Sequence, residues 1–546
     1  MVPHMLLSAS ATLTPLRSTN QWCKFFPVTT TATYGRNSNK LPSFFRTSQS
    51  RKFSLRASSS SEGNGVTPQE SDGETIPPSS FSWPDNMKPR VCILGAGFGG
   101  LYTALRLESL VWPDDKKPQV LLIDQSDRFV FKPMLYELLS GEVDKWEIAP
   151  RFTDLLATSS VQFCQDRVKL LRPSDHLGMN SSTAPNSGGV VHLESGLHIE
   201  YDWLVLALGA EAKLDLVPGA MDFAIPFSTL EDACKVDDKL KELERKKFGT
   251  DSPVRVAIVG CGYAGVELAA TVSERLQDKG IVQAINVETT ICPSAPPGNR
   301  EAALKVLSSR NVQLLLGYYV SCIRKEEKNE ALEKLLEITG DSGDAAKQPN
   351  SEQLIVELQP AERSLKSQIL EVDLVLWTVG SKPLVPPLDS GNQPLMFPIN
   401  GRGQAETDET LRVKGHPRIF AIGDSAALRD SSGRILPATA QVAFQQADFA
   451  GWNLWAAINN RPLLPFRFQN LGEMLTLGRS DAAISPSFID GLTLDGSIGH
   501  TARKIAYLLR LPTDEHRVKV GISWLAKSAI DSIASFQTNL AKTLSG

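Results

Sequence analysis

The chain has 546 residues, 42% of them apolar and 22% charged, which is ordinary for a globular protein and long enough for about three to four domains. No apolar run approaches the ~20 residues that a membrane-spanning helix needs, so the sequence excludes a chain that crosses a bilayer. Without the eight Lys and Arg of residues 1–60, a segment with no Asp or Glu, the formal net charge falls from −4 to about −12, which excludes nucleic acid as a partner.

The N-terminal segment differs in composition from the rest of the chain. Residues 1–57 are rich in Ser, Thr and Arg, are free of acids, and lack the compact apolar core of a secretory signal. This composition predicts an organelle transit peptide, with a disordered basic tail as the alternative. Residues 58–87 are rich in Ser, Gly, Glu and Pro, which predicts a disordered linker.

A glycine-rich fingerprint opens the part of the chain that is expected to fold. An apolar strand over 90–94 runs into Gly95-Ala96-Gly97-Phe98-Gly99-Gly100, and a helix is predicted over about 98–110. This strand-to-helix arrangement places a dinucleotide pyrophosphate on a helix N-terminus. The next predicted strand ends at Asp124, where a carboxylate can bind the hydroxyls of an adenosine ribose; an ordinary turn residue is the alternative.

A second fingerprint follows about 165 residues later. A buried strand over 201–210, whose Gly209 lets the backbone approach a cofactor, precedes it. The motif Gly260-Cys261-Gly262-Tyr263-Ala264-Gly265 again opens a helix, over about 263–277. The following strand is predicted over 285–291 and ends at Cys292 without a ribose-binding acid. Because such an acid would repel the 2′-phosphate of NADPH, its absence makes NADPH a possible coenzyme. NADH stays possible as well, because no arginine that could bind the 2′-phosphate stands beside the strand end.

The second half of the chain repeats the plan of the first. Residues 372–380 copy the pattern of 201–210, with a polar start, an apolar run and a glycine. A strand then ends in Gly423-Asp424, and residues 437–446 open a helix whose positive N-terminus can face a flavin. Two fingerprints imply two bound dinucleotides, and the usual chemical reason is to bring a nicotinamide against a flavin.

These motifs in this order resemble the flavoproteins that bind two dinucleotides, and within them the type II NAD(P)H:quinone oxidoreductases. Residues 131–136 (FKPMLY) and 440–445 (AQVAFQ) are the most specific stretches, and the resemblance covers about 88–485. It implies an α/β fold with two Rossmann-like dinucleotide-binding domains, as in pyridine nucleotide-disulfide reductases, to which the pattern of the C-terminal residues adds a membrane-associating segment. Together with the transit peptide, it points to the plant organellar C-type branch, at a chloroplast thylakoid or plastoglobule surface or in the mitochondrion.

The predicted domains follow from the same motifs. They are a transit peptide over 1–57, a linker over 58–87, a discontinuous FAD-binding domain over 88–215 and 385–465, an NAD(P)H-binding domain over 216–384, and a C-terminal domain over 466–546 for membrane or dimer contact.

The resemblance also assigns roles to individual positions. For FAD these are Gly95, Gly97, Gly100 and Asp124, with Gly423 and Asp424 for its ribityl-pyrophosphate part; Gly209 stays a cofactor-binding candidate on its strand pattern alone. For NADPH or NADH they are Gly260, Gly262 and Gly265. Glu267 would lie near the nicotinamide; the alternative is an acid that only stabilises a helix N-terminus. Gln441 and Gln445 would line a quinone pocket; the alternative is that they are ordinary solvent-exposed polar residues.

The cysteines help to choose the electron acceptor. The seven cysteines form no C-x-x-C or C-x4-C pair, which argues against a zinc ribbon and a dithiol redox centre; no metal site is expected. A lipid-soluble quinone is therefore the predicted acceptor, because it needs only a flat apolar slot and hydrogen-bond donors. The alternatives are an NADPH-dependent reductase of another acceptor and a redox-sensing scaffold.

The C-terminal segment supplies the predicted membrane contact. Residues 501–511 and 522–543 interleave apolar and basic side chains, as a helix lying in a membrane or lipid-droplet interface does. The alternative is a helix that packs on the body of the protein or forms a homodimer contact.

Overall fold

The computed structural model describes residues 80–174, 188–249, 252–326, 353–362, 365–389, 397–430 and 432–545, with side chains described as far as residue 530. The predicted transit peptide and most of the predicted linker lie outside these residues.

The helices of the described chain are numbered in sequence order. They are α1 (Phe98–Ser109), α2 (Leu135–Ser140), α3 (Lys145–Ile148), α4 (Phe152–Leu155), α5 (Ala220–Phe223), α6 (Leu230–Lys247), α7 (Tyr263–Leu276), α8 (Pro297–Ser309), α9 (Ala440–Ile458), α10 (Gly496–Leu508) and α11 (Asp514–Ser545).

The strands are numbered in the same way. They are β1 (Arg90–Leu94), β2 (Gln119–Asp124), β3 (Gln162–Gln165), β4 (Val168–Pro173), β5 (Gly189–Leu193), β6 (His198–Tyr201), β7 (Trp203–Leu206), β8 (Ala210–Ala212), β9 (Ala224–Pro226), β10 (Val254–Val259), β11 (Gly280–Asn286), β12 (Gln313–Leu316), β13 (Tyr318–Lys325), β14 (Leu354–Pro360), β15 (Gln368–Val372), β16 (Leu374–Trp377), β17 (Ser381–Pro383), β18 (Ala405–Glu406), β19 (Ile419–Ala421), β20 (Ala426–Ala427), β21 (Glu473–Thr476), β22 (Ala482–Ser485) and β23 (Leu494–Asp495).

Two five-stranded parallel sheets confirm the predicted α/β fold. Their orders are β19-β7-β1-β2-β3 and β9-β16-β10-β11-β12, so each fingerprint strand, β1 or β10, occupies the centre of its sheet. The central strands are almost wholly buried, as continuous apolar runs covered on both faces are in parallel sheets. Each parallel sheet has its own three-stranded antiparallel sheet, β4-β5-β6 for the first and β13-β14-β15 for the second. The two halves of the chain are therefore copies of one plan.

Matched aspartates break the long strands that the sequence predicts over 201–210 and 372–380. Asp202 separates β6 from β7, and its carboxylate accepts a hydrogen bond from the backbone N–H of Arg90 at 2.8 Å. Asp373 separates β15 from β16 and accepts from the N–H of Arg255 at 2.7 Å. The apolar runs are therefore right, but each segment belongs to two strands of two sheets.

The strand predicted over 285–291 is wrong. Strand β11 runs from Gly280 to Asn286, in register with β10, and the chain turns after it. The Asn286 side chain causes this turn by donating to the backbone oxygen of Thr290 at 2.9 Å. Residues 287–291 are rich in β-branched side chains, which favour a strand, but Val287 is 52% exposed and has no sheet to pack on.

The predicted linker extends too far. Residues 80–87 lie against the β4-β5-β6 sheet, where Trp83 is only 6% exposed and its indole N–H donates to the backbone oxygen of Glu200 at 2.8 Å. Ser80 forms a bridge with His198. The folded part of the chain therefore begins at least as early as residue 80, because a buried aromatic outweighs the polar composition around it.

A small ribbon joins the two parallel-sheet domains. Strands β8 and β17, which lie where the chain passes between the domains, pair with each other antiparallel. The boundaries predicted at 215/216 and 384/385 fall just after these strands, and they stay predictions.

The C-terminal part contains the β21-β22-β23 sheet and helices α10 and α11. Glu147, a buried carboxylate on α3, holds the first half of α11 by accepting from the Ser523 hydroxyl at 2.6 Å and from Lys527 Nζ at 2.9 Å. Among the described residues, no helix has the length and hydrophobicity to span a bilayer.

Candidate active site

The first fingerprint forms a tight turn between β1 and α1. A Cβ built at Gly95 would lie 2.3 Å from the backbone oxygen of Ala207, and one at Gly100 would lie 1.7 Å from the oxygen of Gly95 itself. Neither position accepts a side chain. At Gly97, in contrast, a Cβ would meet nothing within 4 Å. The turn is thus closed toward the protein and open at the N-terminus of α1, which fits a pyrophosphate bound there.

Asp124 supports this turn from the end of β2. Its carboxylate accepts from the backbone N–H of Ala96 at 2.7 Å and from that of Ser126 at 2.9 Å. Burial raises the pKa of Asp124, while these hydrogen bonds and the charge of Lys132 act in the opposite direction. The carboxylate therefore fixes the loop, and the ribose contact stays a prediction.

The second fingerprint repeats this geometry. A Cβ at Gly265 would lie 1.8 Å from the oxygen of Gly260, and a Cβ at Gly260 would lie 2.7 Å from Thr378 Oγ1. The space at Gly262 is again open, with nothing within 4 Å. The two loops have the same shape, so each can hold a dinucleotide.

Asn286 is the structural counterpart of Asp124. Each is the last residue of the second strand, and Asn286 Oδ1 accepts from the backbone N–H of Cys261 at 3.2 Å, as Asp124 does from Ala96. The sequence predicts the end of this strand at Cys292, six residues too late. Arg300, the arginine nearest in sequence, donates instead to the backbone oxygens of Pro293 and Ala295. The corrected strand end therefore still carries no acid.

The Gly-Asp pair lies where the first sheet meets α9. Gly423 donates its N–H to Gln446 Oε1 at 2.7 Å, and Ser425 Oγ accepts from the N–H of Gly209 at 3.0 Å. A Cβ at Gly209 would meet nothing within 4 Å. Burial raises the pKa of Asp424, and the charge of Lys132 acts against that rise. Lys132 thus acts on both acids predicted to hold FAD, a role the sequence did not reveal.

Helix α9 begins close to this pair. Thr439 caps its N-terminus by accepting from the N–H of Val442 at 3.3 Å. A helix that starts here directs the positive end of its dipole toward the space beside Gly423.

Glu267 lies in a buried cluster rather than at a helix surface. It is 8% exposed, and its Oε1 accepts from the backbone N–H of Thr476 at 2.8 Å. Burial raises the pKa of Glu267 to about 7, against opposing hydrogen bonds from Thr476 and Tyr136 and the nearby charge of Arg503. A carboxyl with this pKa can hold or release a proton near neutral pH.

A buried ion pair lies beside this carboxyl, and the sequence gave no sign of it. Arg503, on α10, is fully buried, and its Nη1 lies 2.5 Å from Oε1 of Glu137, on α2. Among the described residues, Arg503 Nε and Nη2 and Glu137 Oε2 have no hydrogen-bond partner. The pair therefore keeps unused donors and an acceptor next to Glu267. Its members are 366 residues apart, which no local pattern connects.

Gln441 and Gln445 lie on one face of α9, but their amides are already engaged. Gln441 donates to the oxygen of Gly472 at 3.1 Å and accepts from the N–H of Leu471 at 3.0 Å. Gln445 makes the same pair of bonds to the backbone of Gln469, at 2.8 and 3.0 Å. Both side chains hold the extended segment 469–472 against α9, and each amide keeps one N–H that this segment does not use.

Two cysteines meet in the fold although they are 31 positions apart. The N–H of Cys292 donates to the oxygen of Cys261 at 2.8 Å, and both side chains are fully buried. Burial raises the pKa of each thiol to about 12, so both stay protonated near neutral pH. In the described part of the chain the cysteines are free, and no group of three metal-ligating side chains comes together.

Comparison with known proteins identifies the fold and its relatives. Residues 89–447 match the family model for pyridine nucleotide-disulphide oxidoreductases. The chain is 68% identical to the alternative NAD(P)H-ubiquinone oxidoreductase C1, chloroplastic/mitochondrial, of Arabidopsis thaliana, over 88% of this chain and 89% of that one. It is 40% identical to the demethylphylloquinone reductase NdbB of Synechocystis, over 81% of this chain and 96% of that one.

A solved structure shows the same fold. NDH2 of Plasmodium falciparum, in complex with RYL-552, superposes with a TM-score of 0.63 at 17% identity and covers 81% of this chain and 98% of that one.

The raised pKa of Glu267 predicts a specific dependence of stability on pH. A buried carboxyl with a pKa of about 7, against 4.5 when exposed, binds its proton more tightly in the folded state. The proton on Glu267 therefore contributes up to about 3 kcal/mol to the free energy of unfolding. This contribution is fully present below about pH 4.5 and is lost as the pH rises through about 7. Glu267→Gln, which stays neutral, should lose less free energy of unfolding between pH 5 and 7.5 than the wild type, measured by urea denaturation. Equal pH profiles for the two proteins would contradict the assignment.

Proposed function

Since the chain belongs to the pyridine nucleotide-disulphide oxidoreductase family, and within it to the type II NAD(P)H:quinone oxidoreductases, we propose that it passes two electrons from NAD(P)H to a lipid-soluble quinone. The observation that carries the proposal is the pair of matching open fingerprint turns in one chain, at Gly97 and Gly262. Two such turns serve a reaction between two dinucleotides, and the names of the relatives point to a quinone as acceptor.

The residues around the first fingerprint fit FAD. The turn is closed at Gly95 and Gly100 and open at Gly97, and the Gly423-Asp424 pair lies beside the start of α9. FAD, when bound, supplies a ring that accepts hydride from NAD(P)H and gives two electrons to a second acceptor. The second fingerprint, through Gly260, Gly262 and Gly265, would hold the coenzyme.

Glu267 is proposed as the group that manages a proton. Its carboxyl, buried against Tyr136 and Thr476, changes charge near neutral pH. A quinone takes up two protons with its two electrons, so a carboxyl that releases a proton at this pH suits the reaction. The charge of Arg503 stabilises the ionised form that remains.

Gln441 and Gln445 are proposed to shape the quinone site indirectly. Because their amides bind the backbone of residues 469–472, they fix that segment as a wall beside α9. Their positions on one helix face agree with the role that the resemblance implies, and each amide keeps one N–H that the 469–472 backbone does not use.

A direct assay tests the function. The purified mature protein should carry FAD and oxidise NADPH or NADH rapidly only when a short-chain quinone is supplied, because the two cysteines that meet in the fold, Cys261 and Cys292, are buried and protonated. Absorbance at the NAD(P)H band, with and without quinone, measures this. Turnover that oxygen or a protein acceptor supports equally well would favour a reductase of another acceptor, and flavin bleaching without turnover would favour the redox-sensing alternative.

Coenzyme preference is proposed to lie with Asn286. A neutral amide at this strand end admits the 2′-phosphate of NADPH, whereas an acid would repel it. Asn286→Asp should lower kcat/KM for NADPH by about tenfold or more relative to NADH, as expected for a loss near 1.4 kcal/mol. The control is Gln125→Glu, which adds an acid at the exposed residue next to Asp124. An unchanged NADPH-to-NADH ratio in Asn286→Asp would refute the assignment.

Membrane association is proposed for the face of α10 and α11 that points away from the body. Seven large apolar side chains on it are between 53% and 75% exposed: Ile498, Ile505, Leu509, Val518, Ile522, Leu525 and Ile530. A groove of about 940 Å³ between the two helices carries Arg479 and Lys504 alongside Trp524, and Glu142, the ion-pair partner of Lys504, also lines it. An apolar surface edged with cations is what an interfacial helix presents to lipid.

Substitution of two of these residues tests the membrane contact. The double variant Ile522→Glu with Leu525→Glu should reduce co-sedimentation with anionic phospholipid vesicles by more than tenfold, because two exposed apolar side chains of about 1.5–3 kcal/mol each no longer enter the lipid. Met221→Glu, at a 71% exposed site on α5, is the matched control. Vesicle binding that is the same in all three proteins would exclude this face.

The location is proposed to be organellar, and the plastid in particular, at a thylakoid or plastoglobule surface. The chloroplastic/mitochondrial name of the Arabidopsis relative supports an organelle, and residues 1–57 have the composition of a transit peptide. Fusion of these residues to a fluorescent protein would test it, and fluorescence outside plastids would contradict the assignment.

A further inference from the structure

At α9 the proposed quinone site has only neutral hydrogen-bond donors, the second N–H of Gln441 and that of Gln445. A quinone ring binds on apolar surface, but its two carbonyl oxygens need donors, most of all when they acquire negative charge. Gln441 and Gln445 are neutral, so a positively charged donor, which binds such an oxygen more strongly, has to come from another element next to α9.

An aromatic cluster borders α9 at this point. Tyr102, on α1, packs its ring 4.5 Å from that of Phe444, which lies on α9 between the two glutamines. Phe98, the first residue of α1 after Gly97, stacks on Tyr102 at 6.1 Å. The aromatic surface therefore runs from the first fingerprint to the helix that the resemblance assigns to quinone.

Arg510 lies over this aromatic surface. Its guanidinium carbon is 4.6 Å from the centre of the Phe444 ring. The backbone around it is fixed, because the Tyr102 hydroxyl donates to the oxygen of Arg510 and the N–H of Arg510 donates to the oxygen of Tyr507 at 2.9 Å. Tyr102 thus holds both the aromatic surface and the residue above it.

The guanidinium of Arg510 has donors to spare. In the part of the chain that the structure describes, it forms no hydrogen bond and no ion pair, whereas Arg503 pairs with Glu137 and Arg517 pairs with Asp514. Burial lowers the pKa of Arg510 from its ordinary value, as expected of a cation without a carboxylate partner. Arg510 is nevertheless exposed enough to meet a ligand, and its neighbour Leu509 lies on the proposed membrane face.

We propose that Arg510 binds a carbonyl oxygen of the quinone and stabilises the negative charge that the oxygen acquires, with the ring of Phe444 as the apolar surface beneath. This role rests on the proposed function. Arg510 donates hydrogen bonds and no proton, because a guanidinium stays charged at any physiological pH. The two electrons come from NAD(P)H by way of the flavoprotein, and the two protons come from the carboxyl groups or water.

The test uses the full mature holoenzyme and a short-chain quinone without membranes. Arg510→Gln should lower kcat/KM for the quinone by about 10- to 100-fold, the value of a hydrogen bond to a charged donor, and should weaken binding of the oxidised quinone in calorimetric titrations without NADPH. Arg510→Lys, which keeps the charge, should recover part of this loss. The rate at which NADPH bleaches the flavin, measured anaerobically by stopped flow, should stay within about twofold of the wild type.

Arg418→Gln provides the matched control, because the Arg418 guanidinium also covers an aromatic ring, that of Trp203, at 5.3 Å. Wild-type quinone kinetics and quinone affinity in Arg510→Gln would overturn the proposal. Co-sedimentation of the variant with anionic vesicles is measured separately, and a loss of vesicle binding alone would also overturn the proposal, because it would assign Arg510 to a lipid headgroup. Equal losses in flavin bleaching and quinone reduction would also overturn it, since they indicate general damage. A wild-type enzyme that bleaches its flavin but reduces no quinone would instead overturn the proposed function, and with it the role of Arg510.

Discussion

The close approach of backbone to backbone at the two fingerprint turns is the constraint on which the remaining structure depends. At Gly100 and Gly265, a single methyl group would come within 1.8 Å of the carbonyl oxygen five residues earlier. The helices α1 and α7 can therefore start directly above the central strands, and their N-termini can face outward at the same edge of each sheet. Asp124, Asn286 and the Gly423-Asp424 pair lie around these edges, where we propose that the two dinucleotides bind.

Local patterns revealed these features because each depends on residues close in sequence. The fingerprints, the repeated plan of the two halves and the start of α9 all follow from spacing and residue type over fewer than about 20 positions. The position of β11 was missed because residues 287–291 have the side chains of a strand, while the decisive interaction is one hydrogen bond from Asn286 to Thr290. Trp83 was assigned to a linker because composition averages over a segment and overlooks one buried aromatic.

The candidate site was less predictable because its contacts join distant segments. Glu137 and Arg503 meet across 366 positions, and the partners of Gln441 and Gln445 are backbone atoms of residues 469–472, which carry no sequence signal. Helix α10 and the turn after it connect these parts. Arg503 lies beside Glu267, Tyr507 packs on Phe131, and Arg510 covers Phe444, so one short stretch reaches both the proton-holding carboxyl and the aromatic surface.

The ribbon of β8 and β17 limits how the two nucleotide-binding domains can move. Both chain crossings between the domains run through this antiparallel pair, and hydrogen bonds tie the two crossings together. A single connecting strand would allow rotation about its own axis, whereas two paired strands resist torsion and bend most easily across their flat face. At this connection, relative motion of the two sheets is therefore expected to be bending across the ribbon rather than twisting about its axis.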